Sequence, residues 1–435
     1  MRPVILVALL AASCIHIAPH PIAPADTAAA LEKRSLDDPQ LRAFLDQHGA
    51  AGDTWDLQHL TVAALYFHPD LDVVRAHAAV MRAAIATSGE RPNPTVNANI
   101  EHKAEPNTKP WITLLGFDAT IETANKRGLR VREANDAARA ADFAVADQAW
   151  QIRSGVRAQL VALFAAQRTA EALQRQHALN DEILDMLEKR VAAGEASTPE
   201  MTQARVAARQ TALLIRDRTS QAAQARARLA TAVGIPERAL PSVTFDLAAL
   251  PDVTISDAAR ITALTTRPDI LGALADYAAS ESALRLELAK QYPDLHIAPG
   301  FGWDQGFARW ALGFSATAPI LSRNRGPIGE AEARRHESEA KVIQVQARVI
   351  GALDEATARF RQAIEKVHET ESMIALDRQR VAQSQRSFDA GESDRLALRT
   401  TQLELESATV AHTDALAEAQ AALGALEDAV QQELK

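Results

Sequence analysis

The segments DLHIAPGFGWD (residues 294–304) and ARWALGFSATA (308–318) switch the hydrophobic period of the chain from the 3.6 of a helix to the 2 of a strand. In the first, Leu295, Ile297, Phe301 and Trp303 share one face, and His296, Ala298, Gly300, Gly302 and Asp304 share the other. In the second, Trp310, Leu312, Phe314 and Ala316 stand against Ala311, Gly313, Ser315 and Thr317. Strands of about nine to eleven residues, apolar on one face, small or polar on the other and aromatic near the ends, have the make-up of transmembrane barrel strands. A half-buried hairpin of a soluble domain would alternate in the same way, so one hairpin alone decides little. The chain has a second, at 94–102 and 111–122. There Val96, Ala98 and Ile100 oppose Asn97, Asn99 and Glu101, and Trp111, Thr113, Leu115, Phe117, Ala119 and Ile121 oppose a smaller or polar set.

The two hairpins occupy equivalent places in an internal duplication. His68-Pro69-Asp70-Leu71 recurs as Arg267-Pro268-Asp269-Ile270, and Asn93-Pro94 as Tyr292-Pro293, both at an offset of 199. Gly116-Phe117 recurs as Gly313-Phe314, Lys126-Arg127-Gly128 as Asn324-Arg325-Gly326, and Gly194-Glu195 as Gly391-Glu392, at offsets from 197 to 198. Copies this long exceed the roughly 20–50 residues of a solenoid unit, so the chain is a duplicated domain-sized module. Four strands cannot close a barrel, because about eight already leave an interior filled by side chains. Several chains must contribute strands, and more than two if the lumen is to be open.

Around the hairpins the pattern is helical. Asp53 and Thr54 open a helix carrying Leu57, Leu60, Ala64 and Leu65, and a second runs from Pro69 to about Ser88. From Leu129 to Ala193 and from Pro327 to Ala390 there is no internal proline, and each run would extend about 95 Å. In the second run Ile343, Ile350, Leu353, Phe360, Ile364 and Val367 make one seam, and Val342, Val345, Val349, Ala352, Ala356 and Ala363 a second beside it. Two adjacent seams let a helix touch two neighbours, as in a ring of helices around a lumen or in a bundle interior. Each run ends at a glycine, Gly194 or Gly391, before a returning helix. Ser197 and Glu200 form a capping box at the first tip, and Asp394 can cap the second.

Composition narrows the chemistry. Of 435 residues 47% are hydrophobic but only 4% aromatic, which suits long, closely packed helices more than bulky cores. With 47 basic and 56 acidic residues the formal charge of −9 argues against a nucleic-acid partner. The single cysteine, Cys14, excludes internal disulfides, zinc cages and CxxC pairs. His336-Glu337 and His368-Glu369 begin like a zinc-protease motif, but Ala340 and Ser372 stand where the second histidine is required. Gly300, Gly302 and Gly306 are not spaced as a dinucleotide loop. We therefore expect no enzyme, no cofactor and no metal site. At the N-terminus Arg2, the apolar run Val4–Ala12 and Ser13 lead into Cys14 in the layout of a secretory signal, too short to span a bilayer. These residues also resemble a bacterial lipobox, in which the cysteine is lipidated and becomes the mature N-terminus. The fit departs in one place, where Ala11 occupies the usual leucine position. Plain signal cleavage elsewhere, or an incidental buried cysteine, is the alternative, and either version of the signal exports the chain.

Duplicated strand hairpins between long helices, in an exported chain, resemble the TolC-like outer-membrane factor family over about residues 53–432. The segments Arg267–Ile270, Gln291–Leu295, Ala318–Gly326 and Glu330–Ala333 carry the resemblance, and the last two look most like the heavy-metal (CzcC-type) branch. The resemblance implies a mainly α fold with transmembrane β: three chains forming a twelve-stranded outer-membrane β-barrel, continued by a periplasmic α-helical barrel. It implies a signal peptide at 1–13, an N-terminal periplasmic segment at 14–52, a first repeat at 53–233 with its tip at 193–198, an equatorial linker at 234–251, and a second repeat at 252–435 with its tip at 390–395.

Val96, Ile100, Leu295, Ile297, Phe301, Trp303, Trp310, Leu312 and Phe314 would then face outer-membrane lipid. Gly194, Glu195, Ser197, Glu200, Gly391, Glu392 and Asp394 would meet a periplasmic adaptor linked to an inner-membrane RND pump, with Glu392 and Arg395 as a candidate gate. The family's tip order of glycine, hydroxyl residue and acid is kept by Gly194, Ser197 and Glu200. In the second copy Asp394 replaces the hydroxyl and Ala397 the acid. The implied function is an efflux exit duct for metal cations, with drugs or a type I secretion substrate as alternative cargo. The competing class is a coiled-coil scaffold without a pore, which would have no use for the alternating hairpins.

Overall fold

The computed structural model of the chain describes residues 17–104, 111–252 and 256–434. Cys14 and the signal segment 1–13 lie outside them. In chain order the elements are α1 (Pro24–Glu32), α2 (Pro39–Gln47), α3 (Leu57–Phe67), α4 (Pro69–Ser88), β1 (Thr95–His102), β2 (Trp111–Ile121), α5 (Lys126–Ala192) and α6 (Thr198–Val233). The second copy follows as α7 (Asp257–Thr266), α8 (Pro268–Ala289), β3 (Leu295–Asp304), β4 (Phe307–Ala316), α9 (Arg325–Asp389) and α10 (Arg395–Val430). Pro69 and Pro268 each sit at the first position of a helix, where a missing N–H costs nothing and the preceding helix must stop. Helix α3 starts later than the sequence suggests. Its cap is Asp56, whose carboxylate accepts the His59 backbone N–H, not Asp53 or Thr54.

The duplication is visible with one correction. Ala124 and Asn125 before α5, and Arg323 and Asn324 before α9, all have positive φ between 47° and 58°. Asn125 and Asn324 are therefore equivalent at the offset of 199, and Lys126 corresponds to Arg325, not to Asn324. The offset falls to 197 at the tips because α5 has 67 residues and α9 only 65.

The strands form one antiparallel sheet in the order β1-β2-β3-β4, so β2 and β3 join the repeats while β1 and β4 are its edges. Between β3 and β4, Gln305 and Gly306 form a two-residue turn with φ of 52° and 89°, which suits the twist of a hairpin. Gly302 is required where it stands, since a Cβ there would lie 2.4 Å from the Thr113 carbonyl oxygen.

Each long helix serves two layers. Beside the sheet the packing order is α4, α5, α8, α9; toward the tips it is α6, α5, α10, α9. The short helices meet end to end where the layers change, and an arginine fastens each junction. Arg34 donates to the carbonyls of Phe67 and Gly234 at 2.6 and 2.9 Å, and Arg267 to those of Asp428 and Ala429 at 2.9 and 2.5 Å. Both bind last-turn or cap carbonyls that have no partner within their helix.

The two main cores flank this equator. One joins Leu36, Leu41, Leu45, Trp55 and Leu60 to Val156, Leu160 and Leu229, so residues 36–50 belong to the packed body of the first repeat. The other joins Ile270 to Val349, Leu353, Phe360, Val367 and Leu426. The buried line of α9, Val349-Leu353-Ala356-Phe360-Ala363-Val367, takes residues from both seams read in the sequence, and Ile343 and Ile350 are left exposed.

Between the cores Arg157 is buried, its guanidinium 2.5 Å from Glu427 and 3.0 Å from the Gln420 side-chain oxygen. Gln420 donates to the carbonyls of Leu247 and Ala249, and Glu427 also accepts from Arg153 and the Leu434 backbone N–H. Burial lowers the Arg157 pKa against the opposing pull of Glu427, so the pair's worth lies in not being broken. Glu427→Leu should cost about 3–5 kcal/mol of unfolding free energy. The double change Glu427→Leu with Arg157→Met should recover most of that loss, as read by denaturant melting in mild detergent. Equal losses in both variants would assign the stabilisation to the Arg153 and Leu434 contacts instead.

Candidate functional site

Cross-strand register sorts the sheet into two chemically distinct faces. Pairing of Ile100 with Thr113, Thr113 with Trp303 and Leu295 with Ala316 puts all nine expected lipid-facing residues on one side. Val96, Ile100, Leu295, Trp303, Trp310, Leu312 and Phe314 are exposed there, Trp310 at 83%. Phe301 is packed between two indoles, at 4.5 Å from Trp303 and 4.6 Å from Trp310. Trp111, Leu115, Phe117 and Ile121 widen the apolar surface.

The opposite face carries Asn97, Asn99, Glu101, Asp118, Thr120, His296, Asp304, Arg309 and Ser315. His296 Nδ1 is 3.1 Å from Asp118, and Arg309 is 3.1 Å from Asp304. Ile112, Leu114 and Phe307 interrupt the polar face near the hairpin ends, which alternation does not foretell. Leu114 lies across the space that Gly300 and Gly302 leave open, its Cδ1 3.1 Å from where a Gly302 Cβ would be.

At the far ends of the long helices the two tips have similar backbones. Gly194 and Gly391 have φ of 77° and 76°, with open space around each, so conformation and not crowding demands glycine. The Glu195 N–H reaches the Arg190 carbonyl at 2.8 Å, and the Glu392 N–H reaches Ser387 at 2.9 Å, closing both helices in the same way. Ser197 and Glu200 make the reciprocal capping box, and Asp394 accepts the Ala397 N–H at 2.8 Å.

Arg395 lies 3.7 Å from Glu182, so within the chain its partner is Glu182 and not Glu392. Arg399 reaches the same carboxylate at 2.7 Å, and Arg190 binds Asp394 at 2.6 Å. These ties join residues some 200 positions apart and recur at no equivalent place, so the sequence holds no signal for Arg190, Glu182 or Arg399. The cap bond from Ala397 and then the Arg190 guanidinium hold the Asp394 carboxyl below its ordinary pKa. Among the described residues no group of histidine, cysteine and carboxylate side chains is arranged to hold a metal, and no helix is long and apolar enough to cross a membrane.

The sequence model of the family described as outer membrane efflux protein matches residues 60–235 and 261–430, one stretch in each repeat. No curated protein matches the chain. Among solved structures, the outer-membrane channel OprN is 19% identical, with a TM-score of 0.72 over 87% of this chain and 90% of that one. The outer membrane protein VceC of Vibrio cholerae is 19% identical, with a TM-score of 0.70 over 86% and 96%. The CmeC outer membrane channel of Campylobacter jejuni is 15% identical, with a TM-score of 0.70 over 96% and 93%. The fold is thus that of helical barrels continued by a β-barrel.

Because the Asp394 pKa is depressed in the folded chain, its contribution is present above the unfolded carboxylate value and is lost as pH falls through the folded one. Backbone hydrogen exchange at residues 390–397, corrected for intrinsic rates, should rise as pH drops below about 4. Asp394→Ala should raise it already at neutral pH, at a cost of about 1 kcal/mol for the lost cap. Exchange insensitive to both changes would show the cap to be idle.

Proposed function

We propose that this chain, which belongs to the outer membrane efflux protein family, works as a homotrimeric exit duct that crosses the outer membrane and extends through the periplasm. The observation that carries this reading is a sheet that, among the described residues, has one apolar face exposed and both edges free. In hydrocarbon every backbone N–H and C=O needs a partner, so β4 of one copy must pair with β1 of the next. Three copies of four strands give a twelve-stranded barrel, apolar outside and polar within. Two copies would give eight, whose interior fills with side chains.

The helices agree with such a ring. Its edge members α4, α6 and α9 keep Val73, Val80, Val206, Leu213, Ile343 and Ile350 exposed, where a neighbouring copy would cover them. We assign the duct no catalysis. A periplasmic adaptor, working with an inner-membrane RND pump, docks on the tips at Gly194, Glu195, Ser197, Glu200, Gly391, Glu392 and Asp394. Three copies present six such tips. Cys14 carries lipid after removal of residues 1–13. The cargo we favour is metal cations, supported by the resemblance of Ala318–Gly326 and Glu330–Ala333 to the heavy-metal branch.

Native mass measurement in mild detergent should give three copies, with intact mass placing lipid on Cys14. A stable monomer or dimer would overturn the duct. Gly194→Val or Gly391→Val should strain its tip at left-handed φ while leaving the barrel, roughly 100 Å away, assembled. Cells carrying either variant at normal trimer levels should become sensitive to divalent metals and not to hydrophobic drugs. Normal export by both variants would remove the docking role from the tips, and drug sensitivity would replace the cargo.

A further inference from the structure

Resting on the ring reading, the register of the sheet specifies how the strands of two copies meet. Pro299 stands in the middle of β3 with no N–H to donate, and pairing with β2 lapses opposite it, at Phe117 and Asp118. The lapse shows that the odd-numbered residues of β3 bond toward β2. Alternation of antiparallel bonds then turns the N–H groups of Val96, Ala98, Ile100 and His102 in β1 toward one outer edge of the sheet. Those of Leu312, Phe314 and Ala316 in β4 turn toward the other.

The two hairpins keep one register at an offset of 199. Val96 faces Phe117 as Leu295 faces Ala316, and His102 faces Trp111 as Phe301 faces Trp310. Phe117 thus corresponds in the sheet to Ala316 and not to Phe314, its echo in the sequence. Carried to the edges, the junction of β2 with β3 sets Ile100 against Ala316 and His102 against Phe314, all groups already turned outward. On the polar face it sets Asn99 against Thr317 and Glu101 against Ser315. Strand β2, paired on both sides, runs on to Ile121, the equivalent of Ile320, so closure would carry β4 past Ala316 as well.

A second observation separates this register from its neighbours. From Ile100 through Thr113 to Trp303 the pairing runs four residues past Pro299, the repeat equivalent of Ile100. Continued round twelve strands, that advance tilts them by about 54° and opens a barrel of about 16 Å radius. Twelve helices at the usual 8–10 Å spacing need a ring of roughly 15–19 Å, which such a barrel can continue. A slip of two residues at each boundary gives a radius of about 13 Å, too narrow for the helices, or a tilt of about 60°, further still from the usual 35–45°.

We infer that β4 of one copy joins β1 of the next with Ile100 opposite Ala316 in an unbroken ladder, and that the broken ladder of the barrel lies inside each chain, at Pro299. Between copies Ile100 supplies the N–H that Pro299 lacks. In hydrocarbon the copies then hold each other by every ladder bond, while the two repeats of one chain leave the Phe117 carbonyl without its partner.

The test uses the full-length protein reconstituted in lipid, with paired cysteines on the polar face oxidised by copper phenanthroline. Asn99→Cys with Thr317→Cys, a close pair between ladder bonds, should link neighbouring copies into three-chain species on a denaturing gel. It should do so faster than Asn99→Cys with Ser315→Cys, the pair of the slipped register. Ile100→Pro removes an N–H turned away from β2 in its own chain, and should lower the temperature at which dodecyl sulfate separates the trimer. Pro299→Ile supplies the missing N–H, and amide exchange at Phe117 and Phe301 should slow roughly fivefold, the factor for one net hydrogen bond. Faster linking through Ser315, or a trimer indifferent to Ile100→Pro, overturns the register between copies. Exchange indifferent to Pro299→Ile overturns the break within the chain. A protein of monomer mass instead fails the ring reading itself.

Discussion

An open sheet edge is the constraint on which the molecule turns. In water, edge N–H and C=O groups can bind solvent, but in hydrocarbon each one left alone costs several kcal/mol. A four-stranded sheet that exposes Trp303, Trp310, Leu312 and Phe314 on one face, and ends in bare edges at β1 and β4, is incomplete as a single chain. Closure by further copies supplies both edges at once. In the proposed ring the polar face, with His296 on Asp118 and Arg309 on Asp304, would turn toward the lumen.

Duplication makes that closure geometrically simple. Because β2 pairs with β3 across the two repeats, the contact that would join copies is already present once inside the chain. The long helices extend the same logic away from the sheet, since α5 and α9 belong to both layers while the shorter helices change over between them. The changeover would expose helix ends, and Arg34 and Arg267 bind those carbonyls in corresponding places. Below them Arg157, Glu427 and Gln420 tie α5, α10 and the linker into one joint.

Much of the fold was legible from periodicity. The period-2 runs found four strands to within two residues at each end, and the proline-free runs found α5 and α9 to within three. Glycine at Gly194 and Gly391 marked the tips because left-handed φ has few other occupants. What stayed hidden depends on tertiary partners. Helix α3 starts at Leu57, because the Asp56 carboxylate is the one that reaches the His59 N–H. Ile343 and Phe360 read alike in a heptad, yet only Phe360 finds a neighbour in its own chain. At the tips, Glu392 and Arg395 read together as a candidate gate, with no cue in the sequence to a partner for Arg395 on another helix. The returning helix instead turns Arg395 toward Glu182 on α5.

Where the two repeats diverge, they diverge in one sense at both ends of the long helices. Beside the sheet, buried Lys126 binds the Tyr292 carbonyl and the Asp294 carboxylate, and Asp294 also accepts the Thr123 N–H. Shifted by 199, the lysine becomes Arg325, but the carboxylate becomes Thr95. At the tips Arg190 and Asp394 become Ser387 and Ser197. In each case the ionic tie lies between the repeats of one chain, and the equivalent residues, which would meet between copies in the proposed ring, form no pair of opposite charges. Drift after duplication would remove ties from either seam without preference. In the ring proposed above, loss on the same side at both ends would make each chain a stiff stave, held to its neighbours mainly by strand pairing and apolar contact.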